Sequence, residues 1–194
     1  MYKCLVENVL IDTEGYRANV GIVIANGTGD VLWAKRVQAG DSWQFPQGGL
    51  NQGESPQDAA FRELYEEVGL ESHQVKLISQ TRGWLSYRIP EHLVRKRQKP
   101  RCIGQKQRWF LMQLNCSPEE IKFDCGDKAE FIDWRWVSYW YPTVDVVNFK
   151  QEVYRRALRE LAPAHSALVA GKRYPDNSRG LRRHKKRRRP QNLG

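Results

Sequence analysis

The chain of 194 residues lacks any long apolar run. A membrane-spanning helix needs about 20 consecutive apolar residues, and no segment approaches that length. The first residues, MYKCLVENVLIDTEGYR, also lack the basic flank and apolar stretch of a secretory signal. We therefore expect no membrane partner and a cytoplasmic location.

Cysteine is scarce, and its spacing carries no chemistry. Cys4, Cys102, Cys116 and Cys125 form no CxxC pair and no zinc-like pattern. A disulfide framework and a structural zinc site are thus not indicated, and reduced thiols agree with a cytoplasmic protein.

Acidic residues are outnumbered, with 22 Asp and Glu against 32 Lys and Arg, and the excess of ten positive charges is concentrated in two segments. Residues 171–194 hold ten basic groups and one acidic group, and residues 88–108 hold eight and one. The rest of the chain is net acidic. Such a division suits an acidic site beside a channel for a polyanion.

The most informative segment is residues 48–70, GGLNQGESPQDAAFRELYEEVGL. Ser55 suits a helix N-cap, Pro56 the first helical position and Gly69 a helix end, so a helix is predicted over 56–68. Three glutamates at i, i+3 and i+4, namely Glu63, Glu66 and Glu67, then share one face of that helix. Carboxylates at this density repel one another unless a cation lies between them, and hard oxygen ligands suit Mg²⁺ or Mn²⁺.

Hydrophobic patterns predict a mixed α/β protein. Strands are expected at 19–26, 31–37, 75–88, 107–114 and 131–137, with a short extended piece at 43–46. A second helix is expected over 143–161, and a short one is considered at 91–96. No internal repeat is visible.

Residues 48–70 match the Nudix box, G-x5-E-x7-R-E-U-x-E-E-x-G-U, without a departure. The matching positions are Gly48, Glu54, Arg62, Glu63, Leu64, Glu66, Glu67, Gly69 and Leu70. Further segments, among them GYRANVGIVI, SWQFPQGG, CIGQKQRWF and WRWVSYWYP, resemble the bacterial RNA 5′-pyrophosphohydrolases, a branch of the Nudix hydrolases. The resemblance implies a Nudix fold, an α/β/α sandwich with a mixed sheet and a loop–helix–loop catalytic motif.

The same resemblance implies a metal site. Gly48, through its carbonyl oxygen, and the carboxylates of Glu63, Glu66, Glu67 and Glu130 would hold one or more divalent cations, Mg²⁺ or Mn²⁺. Glu54 and Arg62 would form a salt bridge that orients those glutamates without touching substrate.

The catalytic base is assigned between Glu67 and Glu130, with Asp127 as a competitor. A solvated loop carboxylate is the other interpretation of Glu130.

Substrate contacts are implied at six positions. They are Arg17, Arg36, Lys96, Arg97, Lys106 and Phe149. Arg17 would contact the 5′ phosphates, and Arg36 and Phe149 would hold a nucleobase between a guanidinium and a ring. Each has an ordinary alternative: a strand-edge cation for Arg17, a core position for Phe149, and a solvated charged loop for the basic segment.

The resemblance implies an enzyme that hydrolyses phosphoanhydride bonds. The preferred function is an RNA pyrophosphohydrolase that acts on 5′-triphosphorylated RNA, leaves a 5′-monophosphate end and thereby accelerates mRNA degradation. Two alternatives stay open: a hydrolase of dinucleoside polyphosphates such as diadenosine tetraphosphate, and an RNA-binding module with a vestigial site.

Domain boundaries complete the prediction. We expect an N-terminal extension over 1–14, the Nudix domain over 15–161 and a basic, disordered tail over 162–194. The tail could raise RNA affinity, tether the protein to RNA-rich machinery, or have no role.

Overall fold

The computed structural model describes residues 10–37, 42–94, 100–126 and 128–171. The elements in this part of the chain are β1 (Tyr16–Ala25), β2 (Val31–Arg36), β3 (Trp43–Gln44), β4 (Gln47–Gly49), α1 (Pro56–Val68), β5 (Val75–Gln80), β6 (Leu85–Arg88), β7 (Gly104–Leu114), β8 (Phe131–Val137), α2 (Pro142–Asp145) and α3 (Asn148–Val169). Short 3₁₀ turns lie at Ser72–Gln74, Glu91–Leu93 and Pro118–Glu120.

The strands form one mixed sheet with the order β3-β2-β1-β7-β5. β1 and β7 run parallel, in a register that pairs Tyr16 with Gly104. β4 pairs with β1, β6 with β7 and β8 with β2, all antiparallel.

The central strand β1 is buried on both faces because helices cover both sides of the sheet. Val20, Ile22 and Ile24 pack toward α1, whereas Val23 and Ala25 pack toward α3. Side chains of a strand alternate between faces, so one apolar run supplies two cores. The predicted α/β/α sandwich with a mixed sheet is confirmed.

Helix α1 begins and ends where its local signals predict. The Ser55 hydroxyl accepts a hydrogen bond from the Asp58 N–H at 3.1 Å, and Pro56 is the first helical residue. Gly69 has φ 72° and donates its N–H to the Tyr65 carbonyl at 2.9 Å. The left-handed conformation at the helix end is the reason for a glycine there.

Two predicted elements need correction. Residues 75–88 form two strands rather than one, because the chain turns at 81–84. There the Thr81 hydroxyl donates to the Gly83 carbonyl and accepts the Trp109 N–H.

The second predicted helix, 143–161, is also wrong in its bounds. It is split into α2 and α3, and α3 continues through Pro163 to Val169. Burial of Leu161 and Ala164 against the sheet supports the helix on both sides of the proline. Of the short helix considered at 91–96, Glu91–Leu93 form a 3₁₀ turn, and residues 95 and 96 lie outside the described residues. The predicted boundary at 162 therefore falls inside α3, and residues 172–194 lie outside the described residues.

Candidate active site

The three glutamates of α1 differ in exposure. Glu63 and Glu67 are buried, with only 8% and 7% of their surface exposed, whereas the side chain of Glu66 is 44% exposed. Glu63 and Glu67 are spaced i, i+4 and face the sheet, in line with the helical spacing. Two buried carboxylates thus lie side by side where α1 meets β4.

Glu67 is held by the backbone of β4. The Gln47 N–H donates to Glu67 Oε2 at 2.8 Å. Burial raises the pKa of Glu67 well above its usual range, and the negative charges of Glu63 and Glu130 raise it further. Such a carboxyl group holds a proton more readily than an exposed one and is a candidate proton acceptor.

Gly48 lies against Glu63 so closely that no side chain fits. A Cβ built on Gly48 would lie 1.7 Å from Glu63 Cδ. Burial also raises the pKa of Glu63, while its bond from Arg62 lowers it. The backbone of β4 and the carboxylate of Glu63 therefore converge at one point.

Arg62 binds five acceptor oxygens of four residues at once. It forms a bidentate pair with Glu54, with Nε to Oε1 at 2.8 Å and Nη2 to Oε2 at 2.9 Å. Its Nη1 donates to Glu63 at 2.8 Å and to Glu66 at 3.0 Å, and its Nη2 donates to the Gly49 carbonyl at 2.8 Å. Its hydrogen bond holds the pKa of Glu54 below its usual range. The predicted Glu54–Arg62 salt bridge is present, and it ties the loop before α1 to the glutamates.

The donor set fits a divalent cation, although the described residues contain no cluster of three acidic, histidine or cysteine side chains at ligating distances. Arg62 bonds to both Glu63 and Glu66 and so occupies the space between them. Carboxylate oxygens are the hard donors that Mg²⁺ and Mn²⁺ prefer, and burial raises the pKa of both Glu63 and Glu67, a cost that a bound cation would offset.

Glu130 lies at the same site, at the edge of β8. The Val37 N–H donates to its carbonyl at 3.0 Å, and its Oε2 is 3.9 Å from Arg36 Nη2. The side chain is 51% exposed, yet its charge raises the pKa of Glu67. Its role as base stays a prediction, and the competing Asp127 lies outside the described residues.

Arg17 enters the site from β1. A Cβ on Gly49 would lie 2.3 Å from Arg17 Nη2, so the guanidinium packs on the strand that holds Gly48. The Arg17 charge lowers the pKa of Glu63, and its buried Nε has no hydrogen-bond partner among the described residues. A cation beside the carboxylates is thus available for an anionic ligand.

Phe149 is half-buried and lies at the edge of the core on the α3 side of the sheet. It packs against the core on the α3 side, and its ring lies 6.0 Å from that of Tyr87. The side chain of Arg36 is 37% exposed, and its positive charge lowers the pKa values of Tyr87 and Glu67. The two side chains border one region, and the nucleobase contact stays a prediction.

Lys106, one of the predicted substrate contacts, is already paired with an acidic side chain. Its Nζ pairs with Asp12 Oδ2 at 2.7 Å and lies 5.7 Å from the centre of the Trp84 ring. Its charge is therefore already balanced. The other two predicted cations of this segment, Lys96 and Arg97, lie outside the described residues.

Known proteins provide an independent comparison. A family described as NUDIX domain matches residues 15–161. The chain belongs to the Nudix family. This confirms the family predicted from residues 48–70.

Curated relatives are similar over most of their length. An RNA pyrophosphohydrolase of Ectopseudomonas mendocina is 58% identical over 154 residues, which cover 79% of this chain and 96% of the relative. That of Pseudomonas putida is 57% identical over the same shares.

Solved structures support the fold. The Escherichia coli dihydroneopterin triphosphate pyrophosphohydrolase has a TM-score of 0.59 at 24% identity and covers 72% of this chain and 92% of its own. A Caenorhabditis elegans Ap4A hydrolase has a TM-score of 0.54 at 18% identity, with shares of 79% and 98%. At these identities the likeness shows a Nudix fold alone.

Sequence reasoning missed a buried polar network beneath the Nudix site. Lys150 Nζ lies 3.0 Å from Gln44 Oε1 and 3.3 Å from Gln47 Oε1. Gln107, fully buried, donates to the Asn19 side chain at 2.8 Å and to Gln47 at 3.3 Å. Gln47 therefore binds this network through its side chain and Glu67 through its backbone, which couples the network to the carboxylate.

One signal in the sequence pointed to Lys150. It lies three, four and seven residues before Val153, Tyr154 and Ala157, so it shares the apolar stripe of α3. A lysine on such a stripe is unusual and is a candidate for function.

We expect Arg62→Met to lower the free energy of unfolding by about 2 kcal/mol, because Glu54, Glu63 and Glu66 would be left facing one another without a cation. Partial exposure of the guanidinium reduces the effect below that of a fully buried pair. Urea unfolding of the metal-free protein measures the change. Arg155→Met is the control, since Arg155 contacts exposed Glu152 at 3.8 Å and its loss should have little effect. Equal stability of both variants would contradict the proposed role of Arg62.

We expect the stability contributed by Lys150 to depend on pH. Its pKa is lowered to about 7, mainly by burial and also by the Arg36 charge, while the Glu67 charge acts in the opposite direction. Below that pH both folded and unfolded states hold the proton, and folding buries a charge. Above it only the unfolded state retains the proton, up to about pH 10.5, so folding gains about 1.4 kcal/mol per pH unit.

The measurement compares metal-free wild type with Lys150→Met. The stability of wild type relative to the variant should increase by about 3 kcal/mol between about pH 6 and about pH 9. Lys76→Met on exposed β5 is the control and should show a flat difference. A flat difference for Lys150→Met would mean that its ammonium is not desolvated.

Proposed function

We propose that the protein is an RNA 5′-pyrophosphohydrolase. The observation that carries the proposal is its identity of 58% to curated RNA pyrophosphohydrolases across 96% of their length. The described site supports it, since every residue of the predicted metal and catalytic set in the Nudix box is present and adjacent to its neighbours.

The substrate is proposed to be the 5′-triphosphate end of RNA. Water attacks a phosphorus atom, the bond between that phosphorus and the bridging oxygen of the leaving group breaks, and pyrophosphate leaves. Stepwise release of two phosphates gives the same 5′-monophosphate end. The charge that develops on the phosphate oxygens must be stabilised by cations.

The chain supplies such a cation and a proton acceptor. Arg17 enters the site from β1, and its guanidinium can bind phosphate oxygens. Glu67, with its raised pKa, or Glu130 accepts the proton of the attacking water. The Gln47 N–H keeps the Glu67 carboxylate oriented at 2.8 Å.

Glu63, Glu66, Glu67 and the Gly48 carbonyl are the residues that would hold Mg²⁺ or Mn²⁺. A bound divalent cation supplies positive charge for phosphate oxygens and lowers the pKa of a water ligand. Arg62 would have to share Glu63 and Glu66 with it, since it bonds to both at 2.8 and 3.0 Å.

We also propose that the protein acts in the cytoplasm, where its RNA substrate is made. None of the helices among the described residues has the length and hydropathy to cross a membrane. The basic tail lies largely in residues 172–194, outside the described part, and its contact with RNA or RNA-rich machinery remains part of the proposal.

The test is product analysis with RNA labelled at the β or γ phosphate, with and without Mg²⁺ or Mn²⁺. We expect labelled pyrophosphate or phosphate, a 5′-monophosphate end, and loss of turnover with chelator. Diadenosine tetraphosphate is assayed in parallel, and a higher kcat/KM on it would favour the dinucleoside polyphosphate function instead.

Phe149→Ala separates the two interpretations of that ring. If it stacks on a nucleobase, KM for triphosphorylated RNA should rise about 10-fold, while inorganic tripolyphosphate is hydrolysed as before. If Phe149 is only a core residue, both substrates should respond equally, through lower stability.

A further inference from the structure

Strand β4 has a single side chain with which it can be anchored, because its sequence is Gln47-Gly48-Gly49. The backbone of this strand meets the candidate site at two points. The Gln47 N–H donates to Glu67 Oε2 at 2.8 Å, and Gly48 lies against the carboxylate of Glu63. Apart from the pairing of β4 with β1, the position of these backbone groups therefore depends on what holds the Gln47 side chain.

The Gln47 side chain is held from the side of the sheet that α3 covers, whereas Glu67 belongs to α1 on the other side. Two donors reach its Oε1 atom, Gln107 Nε2 from β7 and Lys150 Nζ from α3, both at 3.3 Å. These distances are long for hydrogen bonds, so each donor alone holds Gln47 weakly. Gln47 thus connects a polar network on one face of the sheet with a carboxylate on the other.

Lys150 gives this network one orientation. An ammonium group only donates, so Gln47 presents Oε1 to Lys150, and the same oxygen then accepts from Gln107 Nε2. Gln107 also donates to Asn19 Oδ1 at 2.8 Å, and Asn19 is its neighbour on β1. Turning the Gln107 amide would set its oxygen against two other oxygens. The anchor of Gln47 is therefore directional, and it ends on the paired strands β1 and β7.

Gln107 is fully buried and cannot contact a ligand itself. Its Oε1 has no hydrogen-bond partner among the described residues, and a buried polar atom without a partner is unfavourable. For packing alone, an apolar side chain of the same length would suit this position at least as well. The two bonds that Gln107 donates, to Asn19 and Gln47, are thus what a glutamine contributes here.

We propose that Gln107 is a positioning residue for hydrolysis of the 5′-triphosphate end and acts through Gln47 on Glu67. Gln107 and Lys150 fix Gln47 Oε1, and the Gln47 N–H then holds the Glu67 carboxylate in one orientation. Residues that orient a reactive group without touching the substrate typically change activity about 10- to 100-fold. The inference rests on the proposed function and adds to it a residue on which the rate depends.

The first experiment compares Gln107→Met with wild type. Methionine has a similar length and no donor, so Gln47 loses one of its two anchors. We expect kcat on triphosphorylated RNA to fall about 10-fold at unchanged KM. In the metal-free protein, NMR should show that the Gln47 N–H exchanges with solvent about 10-fold faster, because its bond to Glu67 opens more often. This second measurement needs neither substrate nor metal.

A second variant tests the route of the effect. Gln47→Met removes the oxygen that Gln107 and Lys150 share and keeps the backbone N–H. The double variant Gln47→Met/Gln107→Met should be as slow as Gln47→Met alone, because both substitutions break the same link, whereas independent effects would multiply. Gln47 is only half-buried, so its variant tests the link even if Gln107→Met does not fold. Its kcat should then fall, and its residue 47 N–H should exchange faster.

Tyr139→Phe is the matched control. It also removes one buried hydrogen bond on the α3 side of the sheet, from the Tyr139 hydroxyl to the Leu158 carbonyl at 2.7 Å. That bond joins the segment after β8 to α3 and does not involve β4. We expect the kcat and the Gln47 N–H exchange of this variant to equal those of wild type.

The inference is overturned if Gln107→Met retains the kcat of wild type, or if its kcat falls while Gln47 N–H exchange is unchanged. It is also overturned if the losses in the double variant multiply, or if Tyr139→Phe loses as much activity. In each of these cases wild type still hydrolyses RNA. A wild-type protein that hydrolyses no triphosphorylated RNA would instead refute the proposed function, and this inference with it.

Discussion

Glu67→Gln is expected to lower kcat on triphosphorylated RNA by about 10³-fold while leaving RNA affinity near that of wild type. An amide cannot accept the proton of the attacking water and carries no charge for a divalent cation. Its oxygen can still accept the Gln47 N–H, which lies 2.8 Å from Glu67 Oε2. The shape of the site is thus retained while its chemistry is removed.

Stability should not fall in this variant. Glu67 is buried beside Glu63, and both burial and that neighbouring charge raise its pKa, so the charged carboxylate is unfavourable in the metal-free fold. A neutral amide avoids that cost. Equal or higher thermal stability would show that lost turnover does not come from unfolding.

Glu119→Gln provides the control, because Glu119 is exposed in a 3₁₀ turn away from the site. Single-turnover rates and RNA binding are measured for both variants. Retained turnover in Glu67→Gln would move the catalytic role to another carboxylate, with Glu130 the first to test. Absent hydrolysis in wild type together with firm RNA binding would favour the module with a vestigial site.

Local signals were sufficient for the helix that holds the glutamates. The start and the end of α1 depend on residues directly at those ends: Ser55, Pro56 and Gly69. The bounds of α1 could therefore be predicted from sequence. The Nudix box then placed Glu63 and Glu67 on the face that the structure buries.

Contacts between distant segments could not be read in this way. The parallel pairing of β1 with β7 joins residues about 90 positions apart, and the bond of Lys150 to Gln47 spans 103. Apolar periodicity indicates which face of an element is buried but not which element covers it. The polar network below Glu67 depends on such pairings, and the balanced charge of Lys106 depends on Asp12, 94 residues away.

The break at 81–84 illustrates a second limit. Apolar residues stand on both sides of residues 79–83 (SQTRG), and the two stretches together predict one strand over 75–88. The Thr81 N–H still donates to the Trp109 carbonyl, but the Thr81 hydroxyl accepts the Trp109 N–H and donates to the Gly83 carbonyl, so a side chain replaces one backbone acceptor of the ladder. This competition leaves no mark in hydrophobic periodicity.

Gly48→Ala is expected to lower kcat/KM by about 10²-fold or more by displacing a single carboxylate. The added Cβ would lie 1.7 Å from Glu63 Cδ, well inside van der Waals contact, so Glu63 must leave its position. Backbone strain is not the cause, because Gly48 lies in β4 and is not among the residues with positive φ. A lower kcat/KM in Gly48→Ala would therefore show that activity depends on the position of the Glu63 carboxylate.

The matched control for Gly48→Ala is Gly83→Ala, since a Cβ there meets no atom within 4 Å and φ is not positive. We expect the control to equal wild type in activity and in the Mg²⁺ concentration for half-maximal rate. In Gly48→Ala that concentration should rise, because a displaced Glu63 no longer joins Glu67 and the Gly48 carbonyl around the ion. An unchanged metal requirement with normal turnover would mean that Glu63 is no ligand, and the assignment of the site to α1 and β4 would fail.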